Sequence, residues 1–207
     1  MIIAVDGPTA SGKGTIAKAI AAHFSLPHLD TGLLYRAVGK QVSLNGGDPD
    51  NADDALTACS FADDLLEDPH LRSEEIGGLA SRVSVHPAVR QALYERQRSF
   101  AQQNGGAVLD GRDIGTVIVP EADVKLFITA SVEERARRRW MEMQDREMEI
   151  TLVEIEKDIV ARDARDINRK DAPLRAASDA LVLDTTAFDR DQAIEAAIEA
   201  VSERLGA

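Results

Sequence analysis

Near the amino terminus the chain reads Asp6-Gly7-Pro8-Thr9-Ala10-Ser11-Gly12-Lys13-Gly14-Thr15. The spacing Gly7-x-x-x-x-Gly12-Lys13 is that of a Walker A loop, in which a glycine-rich turn lets backbone N–H groups close on phosphate oxygens. Lys13 adds a mobile cation that can follow charge from one phosphate to the next. A helix opening at Thr15 would bring its positive end to the same point. Gly7, Pro8, Thr9, Ala10, Ser11, Gly12, Lys13, Gly14 and Thr15 together make an anion cradle. The plain alternative is a tight turn that needs glycine for its dihedrals and nothing more. Position argues against it, because the loop directly follows the apolar run 2–5 and directly precedes a helix-period pattern. Gly14 stands where the general pattern has Ser or Thr, and the hydroxyl comes one place later. Thr15 is therefore expected to touch phosphate and is the loop's candidate metal contact.

Transfer of a phosphoryl group asks for charge neutralisation and positioning more than for a protein nucleophile, so arginines beside such a loop are the expected signature. Three runs supply them. In Asp30-Thr31-Gly32-Leu33-Leu34-Tyr35-Arg36, Thr31 is placed to cap a helix and Arg36 to stand on its exposed side. Asp110-Gly111-Arg112-Asp113 puts a guanidinium between two carboxylates, and its plain reading is an ion pair internal to the turn. In Arg162-Asp163-Ala164-Arg165-Asp166-Ile167-Asn168-Arg169, helical spacing puts Arg162, Arg165, Asp166 and Arg169 on one face. That face is either a solvated helix laced with ion pairs or a lid whose arginines close over phosphates and exclude water.

Elements that could position these groups follow from apolar periodicity. Short buried-type strands are expected at 2–5, 28–29, 107–109, 124–128 and 180–183, with helices from Thr15, at 33–44, 131 onward, 152–167 and near the carboxyl end. Ser131-x-x-Glu134 reads as a capping box, and a weak boundary falls at 149–151. Between 53 and 104 the pattern loses its strands and reads as helices at 53–66, 73–82 and 87–102. Strands alternating with helices imply an α/β fold with a five-stranded parallel sheet in three layers. Ligands in such folds bind at the carboxyl ends of the strands, and every polar run named above follows a strand. One domain is expected: a core of about 1–36 and 105–207, a mostly helical insertion of about 37–104, and a lid of about 150–173.

With 207 residues, 29% of them charged and 4% aromatic, the chain has an ordinary globular composition. Its formal net charge of −12 argues against nucleic-acid binding, which needs clustered Lys and Arg to release counterions. Residues 135–170 carry ten basic and nine acidic side chains, so that segment is near neutral while the excess acid lies elsewhere. Cys59 is the one cysteine; it excludes an intrachain disulfide, suits a reducing compartment and reads as a small buried group. No apolar run approaches 18 residues and no signal-peptide pattern opens the chain, so a cytoplasmic, monomeric protein without membrane partners is expected.

The chain resembles bacterial-type cytidylate kinases, within the nucleoside monophosphate kinase group of P-loop kinases. The resemblance rests on G-P-T-A-S-G-K-G-T, L-D-T-G-L-L-Y-R, A-S-R-V-S-V-H-P-A-V-R, D-G-R-D-I-G-T-V, R-D-x-R-D-x-N-R, and A-P-L followed by A-L-V-L-D-T-T, in that order and separation. It implies transfer of the γ-phosphoryl group of ATP to CMP, and to dCMP, with Mg²⁺ held by substrate phosphates and waters. It further implies an acceptor site at Thr31, where the family usually has serine, Arg36, Ser81, Arg90, Arg112, Asp113, Arg162, Asp166 and Arg169. Ser81, Arg90 and Asp113 would address the cytosine edge, and Arg162 and Asp166 the sugar. Arg36, Arg112 and Arg169 would surround the acceptor phosphate. Lys13, Arg112, Arg162 and Arg169 are the residues expected to act on the transferred group. The stretch 66–74 is short and poor in β-formers, which argues against the small sheet usual in the family's insertion. The alternatives are a kinase of UMP, AMP or a hydroxy acid on the same sheet, and a nucleotide-binding regulatory module without transfer.

Overall fold

The structure is a computed structural model that describes residues 1–144 and 150–206. Five strands, β1 (Ile2–Asp6), β2 (His28–Asp30), β3 (Ala107–Gly111), β4 (Val124–Thr129) and β5 (Leu181–Asp184), form one sheet in the order β2-β3-β1-β4-β5. All four pairings are parallel. The central strand β1 aligns Asp6 with Gly111 on β3, and β2 aligns Asp30 with Asp110, so the polar strand ends lie in one row.

Alternation along the strands sends side chains to two cores. Ile3, Val5, Val108, Leu126 and Ile128 pack against α1 (Lys13–His23) and α8 (Arg190–Leu205) through Ile16, Ile20, Ala197 and Val201. Ala4 and Leu109 point the other way, onto Ile114, Ile118 and Val119, with Ala101 of α5 (Pro87–Ala101). Burial on both faces explains why these strands read as continuous apolar runs. The α/β, three-layer expectation holds.

Further apolar clusters lie outside the sheet. Leu34, Val38 and Val42 of α2 (Thr31–Leu44) pack with Ala55 of α3 (Ala52–Thr57), Leu71, Ile76 of α4 (Glu74–Val83), and Val89 and Leu93 of α5. Ala136 and Met143 of α6 (Val132–Gln144) meet Ile155 and Ile159 of α7 (Leu152–Asn168).

Three expectations about local structure are corrected and one, at 66–74, is met. The helix at 53–66 is broken: α3 ends at Thr57, and a separate 3₁₀ turn spans Asp63–Glu67, because Phe61 between them is buried in the α2–α5 cluster. Within 66–74 a second 3₁₀ turn spans Pro69–Arg72, and no strand appears between α2 and α5, in line with the poverty of β-formers there. The capping box at Ser131 is half made: Glu134 N–H donates to Ser131 Oγ at 3.2 Å, but the Glu134 carboxylate is taken by Arg137 and Arg138. Cys59 is only half-buried, and burial pushes its thiol up to about 11. The expected boundary at 149–151 begins at residue 149, outside the described residues.

Candidate active site

The loop between β1 and α1 bends through Gly12, whose φ of 87° lies in the left-handed region that glycine adopts without cost. A Cβ at Gly7 would collide with the Ile128 carbonyl, so the loop can pass this close to β4 only as glycine. Lys13 folds back to donate to Pro8 O at 3.1 Å and is 9% exposed. Burial, with repulsion from Arg112, pulls its ammonium down to about 7, while Asp110, Asp30 and Asp166 oppose the shift. A desolvated lysine without an anion is what a phosphate would correct. Ser11 Oγ is buried with no hydrogen-bond partner, a second polar group left for a ligand.

Asp6 fixes the neighbouring turn. Its carboxylate accepts from Ile114 N and Gly115 N, both at 2.8 Å, and burial pushes its pKa to about 7 against the pull of those amides. The wide turn Ile114–Ile118 that follows thereby sets Arg112 and Asp113 at the end of β3.

The cleft over the loop has a volume of about 370 Å³ and is lined by Gly12, Lys13, Gly14 and Thr15, with Arg36, Arg112, Arg139 and Arg162 opposite. Beside it lies a pocket of about 90 Å³. All nine residues expected at the acceptor site line that pocket: Thr31, Arg36, Ser81, Arg90, Arg112, Asp113, Arg162, Asp166 and Arg169. Arg36, Arg112 and Arg162 line both spaces. The smaller pocket falls short of the ~300 Å³ usual for a ligand site, and Arg90 and Asp113 pair directly within it. Arg112 Nε donates to Asp166 Oδ2 at 2.9 Å, and Arg165 Nε donates to Ser81 Oγ at 2.9 Å. Burial raises the Asp113 pKa, which Arg90, Arg169 and Arg112 hold back. Burial also lowers those of Arg162 and Arg169, and takes Arg36 down to about 10. Arg169 Nε is buried without a partner.

A family model described as cytidylate kinase matches residues 3–203. The chain belongs to the cytidylate kinase family. A cytidylate kinase of Cereibacter sphaeroides is 56% identical over 202 residues, covering 98% of this chain and 95% of that one. One of Granulibacter bethesdensis is 51% identical over 205 residues, covering 99% and 98%. Among solved structures, an uncharacterized protein from Eubacterium ventriosum matches with a TM-score of 0.56 at 17% identity, covering 98% of each chain. A Thermus thermophilus protein matches at 0.50 and 20%, covering 99% of this chain and 97% of that one. These two likenesses concern the fold.

Several expectations about side chains are corrected by the geometry. Thr31 is not a cap: it is the first residue of α2, and its hydroxyl donates across to Asp110 O at 2.8 Å. Arg36 does not stand on an exposed face, because its Nη1 donates to Leu71 O at 2.6 Å and Ser73 O at 2.8 Å. The ion pairs of Arg112 and Asp113 are not internal to their turn, since their partners lie on α7 and α5. Arg169 does not continue a helical face: α7 ends at Asn168, and Arg169 has an extended backbone that returns its side chain to the pocket. Nor is the 162–169 run a solvated surface, because Arg162, Asp166 and Arg169 are all buried.

Sequence reasoning passed over Arg139 and Glu74, which line the cleft. The available signal for Arg139 was its place four residues after Arg135, on one helical face. Arg135 is buried and braces the loop, donating to Thr9 O at 3.1 Å and to Asp163 Oδ2 at 2.7 Å. Glu74 carried no signal beyond that of an acid in a helix's first turn.

Proposed function

We propose that the chain transfers the γ-phosphoryl group of ATP to CMP, and to dCMP, giving ADP and the cytidine diphosphate. The observation that carries this reading is the shared wall: Arg36, Arg112 and Arg162 line both the phosphate cleft and the acceptor pocket, so an anion passing from one to the other stays beside guanidinium groups. In this reading residues 7–15 hold the ATP phosphates through backbone N–H groups, and Lys13 follows the charge onto the leaving oxygen. The cradle suits that role because burial lowers the Lys13 pKa, a shift that a phosphate would reverse, and Ser11 Oγ is buried without a hydrogen-bond partner.

Arg36, Arg112 and Arg169 hold the acceptor phosphate so that its oxygen attacks in line, with no covalent enzyme intermediate. Ser81, Arg90 and Asp113 read the cytosine edge, and Arg162 and Asp166 hold the sugar. Asp113 is the discriminator against UMP, since a carboxylate accepts from the exocyclic amine that uracil lacks. Bound Mg²⁺ would neutralise charge across the phosphates. In this reading its ligands would be substrate phosphates and waters, with the Thr15 hydroxyl lining the same cleft.

The same reading divides the chain into a core of about 1–36 and 105–207, an insertion of about 37–104 and a lid of about 150–173. It takes the protein as a cytoplasmic monomer. No helix among the described residues is long and apolar enough to cross a membrane. The test is steady-state ADP formation from ATP with CMP, UMP, AMP or shikimate as acceptor. CMP is expected to give the highest kcat/KM by far; equal use of another acceptor defeats the substrate, and ATP binding without acceptor-dependent ADP points to a regulatory module.

A further inference from the structure

Helix α4 begins inside the phosphate cleft. Ser73 caps it, with its Oγ accepting from Ile76 N at 3.3 Å, and the next residue, Glu74, turns its carboxylate away from the helix toward two arginines. Glu74 Oε2 accepts from Arg162 Nη2 of α7 at 3.0 Å, and Oε1 pairs with Arg139 of α6. The Glu74 carbonyl also accepts from Arg162 Nη2, at 3.2 Å. One carboxylate thus spans two guanidinium groups in a cleft whose floor is Gly12, Lys13 and Gly14.

Neither arginine needs Glu74 for charge balance. Arg139 Nη1 has Glu142 at 2.8 Å on its own helix, and Arg162 Nε has Asp158 at 2.8 Å on its own. Glu74 instead comes from a different part of the chain and joins α4 to both. Close packing brings the groups together: a Cβ at Gly77, one turn further along α4, would lie 2.9 Å from Arg36 Nη2 and 3.0 Å from Arg162 Nη1. A carboxylate bridging two arginines has the charge and the fork geometry of one face of a phosphoryl group.

We propose that Glu74 is a positioning residue that stands in for a nucleotide phosphate, keeping Arg139 and Arg162 turned into the cleft and giving them up when ATP arrives. This rests on the reading that residues 7–15 hold the ATP phosphates in the cleft that Arg139 and Arg162 line, and it adds a contact to phosphate to the part Arg162 has at the sugar; it does not rest on the identity of the acceptor. Glu74 therefore sets ATP affinity: part of the phosphate's binding energy goes into breaking the carboxylate bridge. No group is transferred to or from Glu74.

The test is titration calorimetry with ATP and, separately, with inorganic tripolyphosphate, on the wild-type chain, Glu74→Gln and Glu142→Gln. Glu74→Gln is expected to bind both ligands about fivefold more tightly, the scale of a part-exposed ion pair. A merely structural role would leave affinity unchanged or weaken it. Glu142→Gln removes the same charge from the same cleft without touching Arg162, and is expected to change affinity by less than about twofold. Unchanged or weaker binding in Glu74→Gln, or an equal gain in Glu142→Gln, overturns the proposal. Should Glu74→Gln fail to fold, Glu74→Asp, too short to span both arginines, is read the same way with a smaller gain. A failure to phosphorylate CMP would sink the acceptor assignment and leave this comparison standing.

Discussion

The cradle around Lys13 is built from consecutive residues and largely from backbone, whereas the acceptor pocket gathers nine side chains spread from Thr31 to Arg169. The cradle's shape is set by one turn between β1 and α1, braced by Arg135 of α6 through Thr9 O. The pocket exists only when α2, α4, α5, the turn after β3 and α7 have all come together. Its groups also occupy one another in the absence of a ligand: Arg90 holds Asp113, Arg112 holds Asp166, and Arg165 holds Ser81. A contiguous backbone site is ready for phosphate, while a dispersed side-chain site must exchange internal partners for the ligand's.

That contrast ranks the consequences of substitution. The largest loss is expected at the cradle: Lys13→Ala should lower kcat about 10³-fold, since it removes the cation that the loop itself holds against the migrating charge. Single-turnover kinetics would check it, and a loss confined to the ATP KM would break the assignment of Lys13 to the transferred group. In the pocket the effect should appear as altered choice. Asp113→Ala is expected to lower the CMP-to-UMP ratio of kcat/KM about 10²-fold by removing an acceptor from a buried charged pair. An unchanged ratio would mean that the base is read elsewhere.

The same division governs what the sequence disclosed. The strand, loop and helix of residues 2–23 are legible because each uses local rules: apolar run, glycine turn, helical period. The sheet followed from the same reasoning, and the polar strand ends did fall in one row. The acceptor pocket was reached by resemblance, because spacing alone cannot bring Ser81 beside Arg165 or Arg90 beside Asp113 across more than twenty positions. Arg36 and Thr31 were misplaced for the same reason: their partners, Leu71 O and Asp110 O, are distant in the chain. Glu74 escaped notice because a first-turn acid already has a local explanation.

A smaller effect should sharpen the comparison at the pocket's edge. Gly77→Ala places a methyl group against Arg36 and Arg162, and is expected to raise the CMP KM about tenfold, with a smaller change in the ATP KM because both arginines also line the phosphate cleft. Equal changes in both would show that the two spaces do not respond separately. The smallest signal is a proton. Burial lowers Lys13 to about 7, so above that pH it is largely neutral, and an arriving phosphate favours its charged form. ATP binding at pH 8 should therefore take up close to one proton, measured calorimetrically in buffers of different ionisation enthalpy, and less at pH 6. Lys13→Met should abolish the uptake. The matching stability effect has a fixed sign: between pH 7 and the ordinary lysine value the unfolded chain binds more protons at this position, so this lysine makes the empty protein more stable as pH rises across that window.

A crystal soaked with CMP tests the two-part cleft most directly. The account expects the base between Ser81, Arg90 and Asp113, with the Arg90–Asp113 pair opened, and the phosphate among Arg36, Arg112 and Arg169, facing the loop that carries Lys13. A nucleotide bound with its phosphate away from those three arginines, or with its base far from Asp113, would contradict it.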